Sequence, residues 1–172
     1  TSSVTCVVSS SDADGDPVTE SFAWYVDGNL QSETTNMYSG PFIVGTILAC
    51  RTTPNDGKTD GDFAEDTATI QNTLPSVDSV TLSPSTVYTN DTITATTVFS
   101  DDDSTQTVSG TYAWHVIDVG TGTDTEVQSG SDNTLSGVSF FDRDDEVYVV
   151  VTPNDGVDDG SALTSSSVTI SN

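Results

Sequence analysis

FAWYVDG at residues 22–28 and RTTPNDG at 51–57 return as YAWHVID at 112–118 and VVTPNDG at 150–156, so one pattern anchored on Trp24 is written again around Trp114. Both copies alternate. Phe22, Trp24 and Val26 share one parity against Ala23 and Tyr25, and Val147, Val149 and Val151 alternate with Tyr148 and Val150. A period of two puts successive side chains on opposite faces of a strand. The tryptophan parity is the core one, so Tyr25, His115 and Tyr148 are expected to point outward. Val4, Cys6 and Val8 alternate in the same way with Thr5 and Val7, which predicts one strand through all of them. No stretch keeps an i, i+3, i+4, i+7 apolar pattern of useful length. Short strands separated by Gly, Asn, Asp, Ser and Pro clusters predict an all-β chain of two tandem antiparallel sandwiches.

Composition narrows the function. The 172 residues suffice for two modest cores. Ser and Thr make up about three residues in ten, which suits strands with one solvated face. The net charge is −24, and the only cations are Arg51, Lys58 and Arg143. Nucleic acid is thereby excluded as a partner, because phosphate binding needs clustered Lys and Arg. No apolar run reaches the 18 residues of a membrane span, so no membrane insertion is expected in this segment. The chain opens without a basic stretch followed by an apolar one, so any secretion signal is expected to be removed or to lie upstream.

Cys6 precedes Trp24, and Cys50 follows it on the strand leading into Pro54-Asn55-Asp56-Gly57. The order Cys, Trp, Cys resembles the immunoglobulin arrangement. Further motifs are DADGDPVTESFAWYVDG (12–28), TPNDG with a downstream Asp-Gly, ATIQNTLPSV (68–77) and VTISN (168–172). Through them nearly the whole chain resembles the tandem immunoglobulin-like or cadherin-like modules of large bacterial or archaeal extracellular surface proteins. The resemblance implies two immunoglobulin-like sandwiches and a Cys6–Cys50 disulfide packed on Trp24. Chain-entropy arithmetic gives such a loop roughly 4 kcal/mol. The bond implies an oxidising, extracellular or cell-surface location. Alignment of the repeats puts Ala95 at the Cys6 position and Val149 at the Cys50 position, so both partners are absent together. Two unrelated buried thiols are the alternative reading.

The repeats divide the chain into a first domain (1–72), a linker (73–76) and a second domain (77–172). The second opens with PSVDSVTLSPSTVYTND (75–91), which reads as a first strand broken by Pro84. The first repeat, starting at Thr1, has no counterpart. Its N-terminal edge strand is therefore expected upstream in the same polypeptide or from a neighbouring subunit. A trimmed or disordered N-terminus is the alternative. The expected role is the structural repeat unit of an extracellular filament or surface stalk, self-associating with identical subunits or adjacent repeats. An adhesin or carbohydrate-binding segment, with glycans as partners, is the competing role.

The aspartates concentrate in two loops per repeat: Asp12, Asp14 and Asp16 with Asp56, Asp60 and Asp62, then Asp101, Asp102 and Asp103 with Asp155, Asp158 and Asp159. In an immunoglobulin topology both loops leave the same end of the sandwich. Crowded carboxylates repel unless a cation sits among them, and flexible oxygen-rich loops suit Ca²⁺. Asp12-Ala13-Asp14-Gly15-Asp16 is not an EF-hand, since its glycine is one position early and Ala23 stands where the bidentate Glu belongs. The expected mechanism is Ca²⁺-stiffened joints. A further acidic patch is expected at Asp142, Asp144, Asp145 and Glu146. Surface charge serving solubility or high salt is the alternative.

Asn90-Asp91-Thr92 is an N-glycosylation sequon, and the abundant Ser and Thr permit O-glycans. Catalysis is not expected. His115 is the single histidine and has no nucleophile beside it, zinc-ligand spacing is absent, and the Asp pairs are too crowded and solvated for a tuned glycosidase pair.

Overall fold

The computed structural model describes residues 3–171. Thr1 and Ser2, where the first repeat opens, and Asn172, which closes VTISN, lie outside the described residues. The chain divides into two compact units, Thr1–Asn72 and Thr73–Asn172. Each is an immunoglobulin-like antiparallel β-sandwich.

In the first unit β1 (Ser3–Thr5) pairs with β4 (Met37–Ser39), while the second sheet has the order β3 (Asn29–Leu30), β2 (Thr19–Val26), β5 (Ile47–Asn55), β6 (Ala64–Thr69). Asp27 and Gly28 both adopt positive φ, as a two-residue hairpin between β2 and β3 requires. Trp24 faces Cys50 across the β2–β5 register, and its Nε1 donates to the Thr35 carbonyl at 2.9 Å. The Cys6–Cys50 disulfide, with Cα atoms 6.3 Å apart, ties the two sheets together beside that ring.

The second unit adds strands to the same plan. One sheet is β12 (Thr134–Ser136), β9 (Thr92–Ser100), β7 (Ser76–Ser83). The other runs β11 (Thr123–Gly130), β10 (Ser109–Asp118), β13 (Glu146–Asn154), β15 (Val168–Ser171), β8 (Val87–Tyr88), with β14 (Leu163–Thr164) also on β13. The Ser83–Pro84 peptide is cis, and here the leading segment leaves β9 and crosses to lie parallel to β15. The break at Pro84 is thus a change of sheet, because proline has no N–H to continue the ladder. A single helical turn, α1 (Gly137–Phe140), follows β12 where the periodicity indicated no helix. A Cβ at Gly137 would lie 2.5 Å from the Thr89 carbonyl oxygen and the Phe141 ring, so only glycine fits.

The two units match bond for bond around the tryptophans. Trp114 faces Val149 as Trp24 faces Cys50, and its Nε1 donates to the Asp132 carbonyl at 3.2 Å. Cys6 N donates to Asn36 O and Ala95 N to Asn133 O, each at 2.8 Å. Ala95 and Val149, both buried, therefore occupy the places of the disulfide partners. One expected strand is shorter than its alternation suggested. β1 stops at Thr5, short of Cys6 and Val8, whereas the equivalent β9 continues to Ser100. The continuation of β9 is held by β7, with Leu82 opposite Ala95 and Val77 opposite Phe99. Alternation selects a face, but a strand also needs a neighbour to take its backbone groups.

Candidate functional site

In the first unit the acidic loops close on their own backbone. The Asp12 Oδ1 accepts from the amides of Asp14 (2.8 Å) and Asp16 (3.1 Å). Across from it, the Asp56 Oδ1 accepts from Lys58 N and Thr59 N, both at 2.7 Å, and Asp60 accepts from the Asn55 side chain at 2.7 Å. The Asp56 carboxyl is held below its ordinary pKa by the Thr59 amide first and the Lys58 amide second. Lys58 forms an ion pair with Asp16, so the two loops meet at one end of the sandwich. Ser11, Asp12, Asn55, Asp56 and Thr59 line an open cleft of about 170 Å³ between them. That is smaller than the usual small-molecule pocket and large enough for a hydrated ion. Asp62 lies exposed just beyond.

The second unit repeats the bonds. Asp155 accepts from Val157 N and Asp158 N at 2.7 Å, Asp159 accepts from the Asn154 side chain at 2.8 Å, and Gly156 N donates to the Asn154 Oδ1 at 2.8 Å. Asp155 is 5% exposed, whereas Asp158 and Asp159 are exposed. Asp101 accepts from Asp103 N through Oδ1, while its Oδ2 is buried without a hydrogen-bond partner. The segment leading into this unit is fastened to both loops. Thr73 N donates to the Asp103 Oδ2 at 2.7 Å, and the Pro75 carbonyl lies where a Cβ on Gly160 would stand. Asp14 and Asp102 are exposed. Among the described residues no three of His, Cys, Asp or Glu converge in a metal-holding group. Asp142, Asp144, Asp145 and Glu146 form a closed turn of their own: Asp145 accepts from Asp142 N, Arg143 pairs with Asp144, and Glu146 accepts from Ser167. Asn90 is exposed in the turn between β8 and β9.

The outward faces carry two clusters, of which the strand alternation indicated only Tyr25, His115 and Tyr148. His115 and Tyr148 stack at 4.7 Å, and Asp124 on the neighbouring strand accepts from the Tyr148 hydroxyl at 2.6 Å and lies 3.1 Å from the His115 Nδ1. Arg51 lies over the rings of Tyr25 (4.9 Å) and Phe63 (4.2 Å) and pairs with Glu65. Asp124 and Phe63 join through cross-strand and loop placement, for which the sequence carries no local signal.

The Asp124 bond, aided by burial, pushes Tyr148 up to about 12, and the same bond with His115 alongside holds Asp124 low. A raised phenol pKa favours the protonated ring in the folded chain. Its stabilisation is present in full below the ordinary tyrosine value of about 10 and is lost as pH climbs from there through about 12. Absorbance titration is expected to show the Tyr148 ionisation near pH 12, and Asp124→Asn to lower it. A Tyr148 ionisation unmoved by Asp124→Asn would contradict that bond.

No protein-family model and no curated protein sequence matches the chain. Solved structures resemble it. Three N-terminal domains of the bacteriophage RB49 Highly Immunogenic Outer Capsid protein match at TM-score 0.45 and 17% identity, over 91% of this chain and 58% of that one. Titin domains A168–A170 match at 0.44 and 9%, over 94% and 63%, and a two-domain fibronectin type III segment of chicken tenascin at 0.46 and 12%, over 97% and 90%. The chain thus spans less than two thirds of the first two. Among the described residues no helix is long and apolar enough to cross a membrane.

Proposed function

We propose that this chain is a structural repeat unit of an extracellular filament or surface stalk, associating end to end with its own kind, with joints stiffened by Ca²⁺ in the Asp-rich loops. One observation carries the reading. The segment that leads into the second unit is bonded to one acidic loop through Asp103 and seated against the other at Gly160, so whatever rigidifies those loops rigidifies the approach to the sandwich. The buried Oδ2 of Asp101 supports a cation there, since a carboxylate oxygen without a donor is otherwise costly. The disulfide supports an extracellular setting.

Light-scattering mass after size exclusion, in millimolar Ca²⁺ and again in excess chelator, tests this. The expected result is long polymers in Ca²⁺ that shorten or soften in chelator. A compact 18.0 kDa monomer under both conditions would overturn it. That outcome would favour the adhesin or carbohydrate-binding reading, for which the stacked His115–Tyr148 face is the supporting observation.

A further inference from the structure

The outer face of the first unit's four-stranded sheet is apolar where the fold does not require it. Trp24, Leu48 and Cys50 face the core, so Tyr25, Ile47, Ala49 and Arg51 at the alternate positions of β2 and β5 face outward. Leu30 stands beside Tyr25 across the β2–β3 register. Leu30 is 66% exposed, Phe63 56% and Ile47 49%. The Arg51 guanidinium lies over the Tyr25 and Phe63 rings and pairs with Glu65, so its charge is cancelled within the face. Asp27, at the Ile47 end, turns its Oδ1 onto the Ile47 amide at 2.9 Å. β1 and β4 form the opposite sheet, so the first described residues lie across the core from this face.

The second unit writes the same face differently. β5 and β13 are both nine residues long and pair in the same register with the tryptophan strands. Glu146 therefore stands at the place of Ile47, Tyr148 at that of Ala49 and Val150 at that of Arg51. Glu126 lies opposite His115 as Leu30 lies opposite Tyr25. With Asp124 beside them, these glutamates make that face acidic. A sandwich of this plan thus accepts glutamate at both positions, and the exposed Leu30 and Ile47 are not needed to fold it.

We propose that this face is a contact between two copies of the chain, first unit against first unit about a two-fold axis. Charge selects the occupant. At a net charge of −24 like copies repel over most of their surface, and they approach at least cost where Arg51 and Glu65 cancel. The face carries both signs, so a two-fold can set the Arg51 of each copy against the Glu65 of the other, which makes it self-complementary. Pairing with the second unit's face is disfavoured, because Glu126 and Glu146 would lose water against Leu30 and Ile47. A face four strands wide and about eight residues long covers about 500 Å². Two of them bury about 1,000 Å², the low end of specific interfaces, so the dimer is weak and fills at high concentration. A two-fold contact closes at two copies. It joins chains side by side and adds none to the end, so it is independent of the Ca²⁺-stiffened end-to-end contact.

The test reads light-scattering mass in excess chelator over rising concentration, for the wild type and for Leu30→Glu combined with Ile47→Glu, the residues that the second unit has at these places. The wild-type mass is expected to rise toward twice the 18.0 kDa of one chain. The double variant is expected to need at least about tenfold more protein to pair. Val138→Glu, at a 74% exposed position of the second unit, is expected to change nothing. Where polymer persists in chelator, the two glutamates are expected to halve its mass per unit length. Hydroxyl-radical footprinting of the wild type alone gives a second readout, in which Leu30 and Phe63 lose reactivity as the dimer fills and Val138 does not. A monomer at every concentration, pairing unmoved by the two glutamates, or protection of Val138 in place of Leu30 would overturn the proposal. A dimer in chelator with no polymer in Ca²⁺ would leave it standing and remove the end-to-end reading. Polymer in Ca²⁺ that chelator returns to monomer at every concentration would do the reverse.

Discussion

Replacing Cys6 by Ala and Cys50 by Val is expected to remove about 4 kcal/mol from the first unit and leave the second untouched. These are the residues that the second unit uses at the same two places, Ala95 and Val149, so packing is preserved and the cross-link alone is lost. The bond closes a loop of sequence separation 44, which sets the entropic size of the effect. The first unit has little else to draw on. Among the described residues its buried apolar side chains are Trp24, Leu48 and Cys50, against twelve in the core of the second unit. For a unit of this size the loss corresponds to a fall of about 15–30 °C in melting temperature. Calorimetry should show two transitions in the oxidised chain. The variant should lower only the first, and reductant on the wild type should do the same. Equal displacement of both transitions, or of neither, would show that the disulfide does not set the stability of the first unit alone.

Trp114→Ala is expected to destabilise the second unit by about 3–5 kcal/mol. Trp114 is fully buried, sits at the crossing of β10 and β13 against Val149, and loses with its ring the Nε1 bond to the Asp132 carbonyl. The cavity cannot collapse readily, because Ile93 and Val147 of the same core belong to strands already held on both sides. Denaturant unfolding followed by far-ultraviolet circular dichroism should show the transition of the second unit moving to lower denaturant. A displacement below about 1 kcal/mol would mean that the ring is not central to that core.

Much of the fold was legible locally. The tryptophan parity predicted which residues face inward, and Trp24, Trp114, Val147, Val149 and Val151 are buried while Tyr25, His115 and Tyr148 point outward. Pro84 marked the break between β7 and β8 because a residue without an N–H cannot continue a ladder. The acidic loops were legible as places but not as bonding patterns. An Asp near a turn can ligate a cation or accept from amides two residues on, and composition alone does not separate the two. Asp12, Asp56, Asp101 and Asp155 each turn one oxygen onto their own loop.

The sequence by itself determined the repeat, the two sandwiches and the residues that fill them, because a strand's period of two and the turn preferences of Asp, Asn, Gly and Pro act over a few neighbouring residues. Only the tertiary structure decided where β1 ends, that Asp124 joins His115 and Tyr148, and that Thr73 and Pro75 are fastened to the acidic loops of the second unit. Each of these depends on which strand or loop, distant in sequence, stands beside the residue in question. The backbone of residues 6–11 has the same alternating start as β9, and it lacks a ladder because a strand is completed by its neighbour.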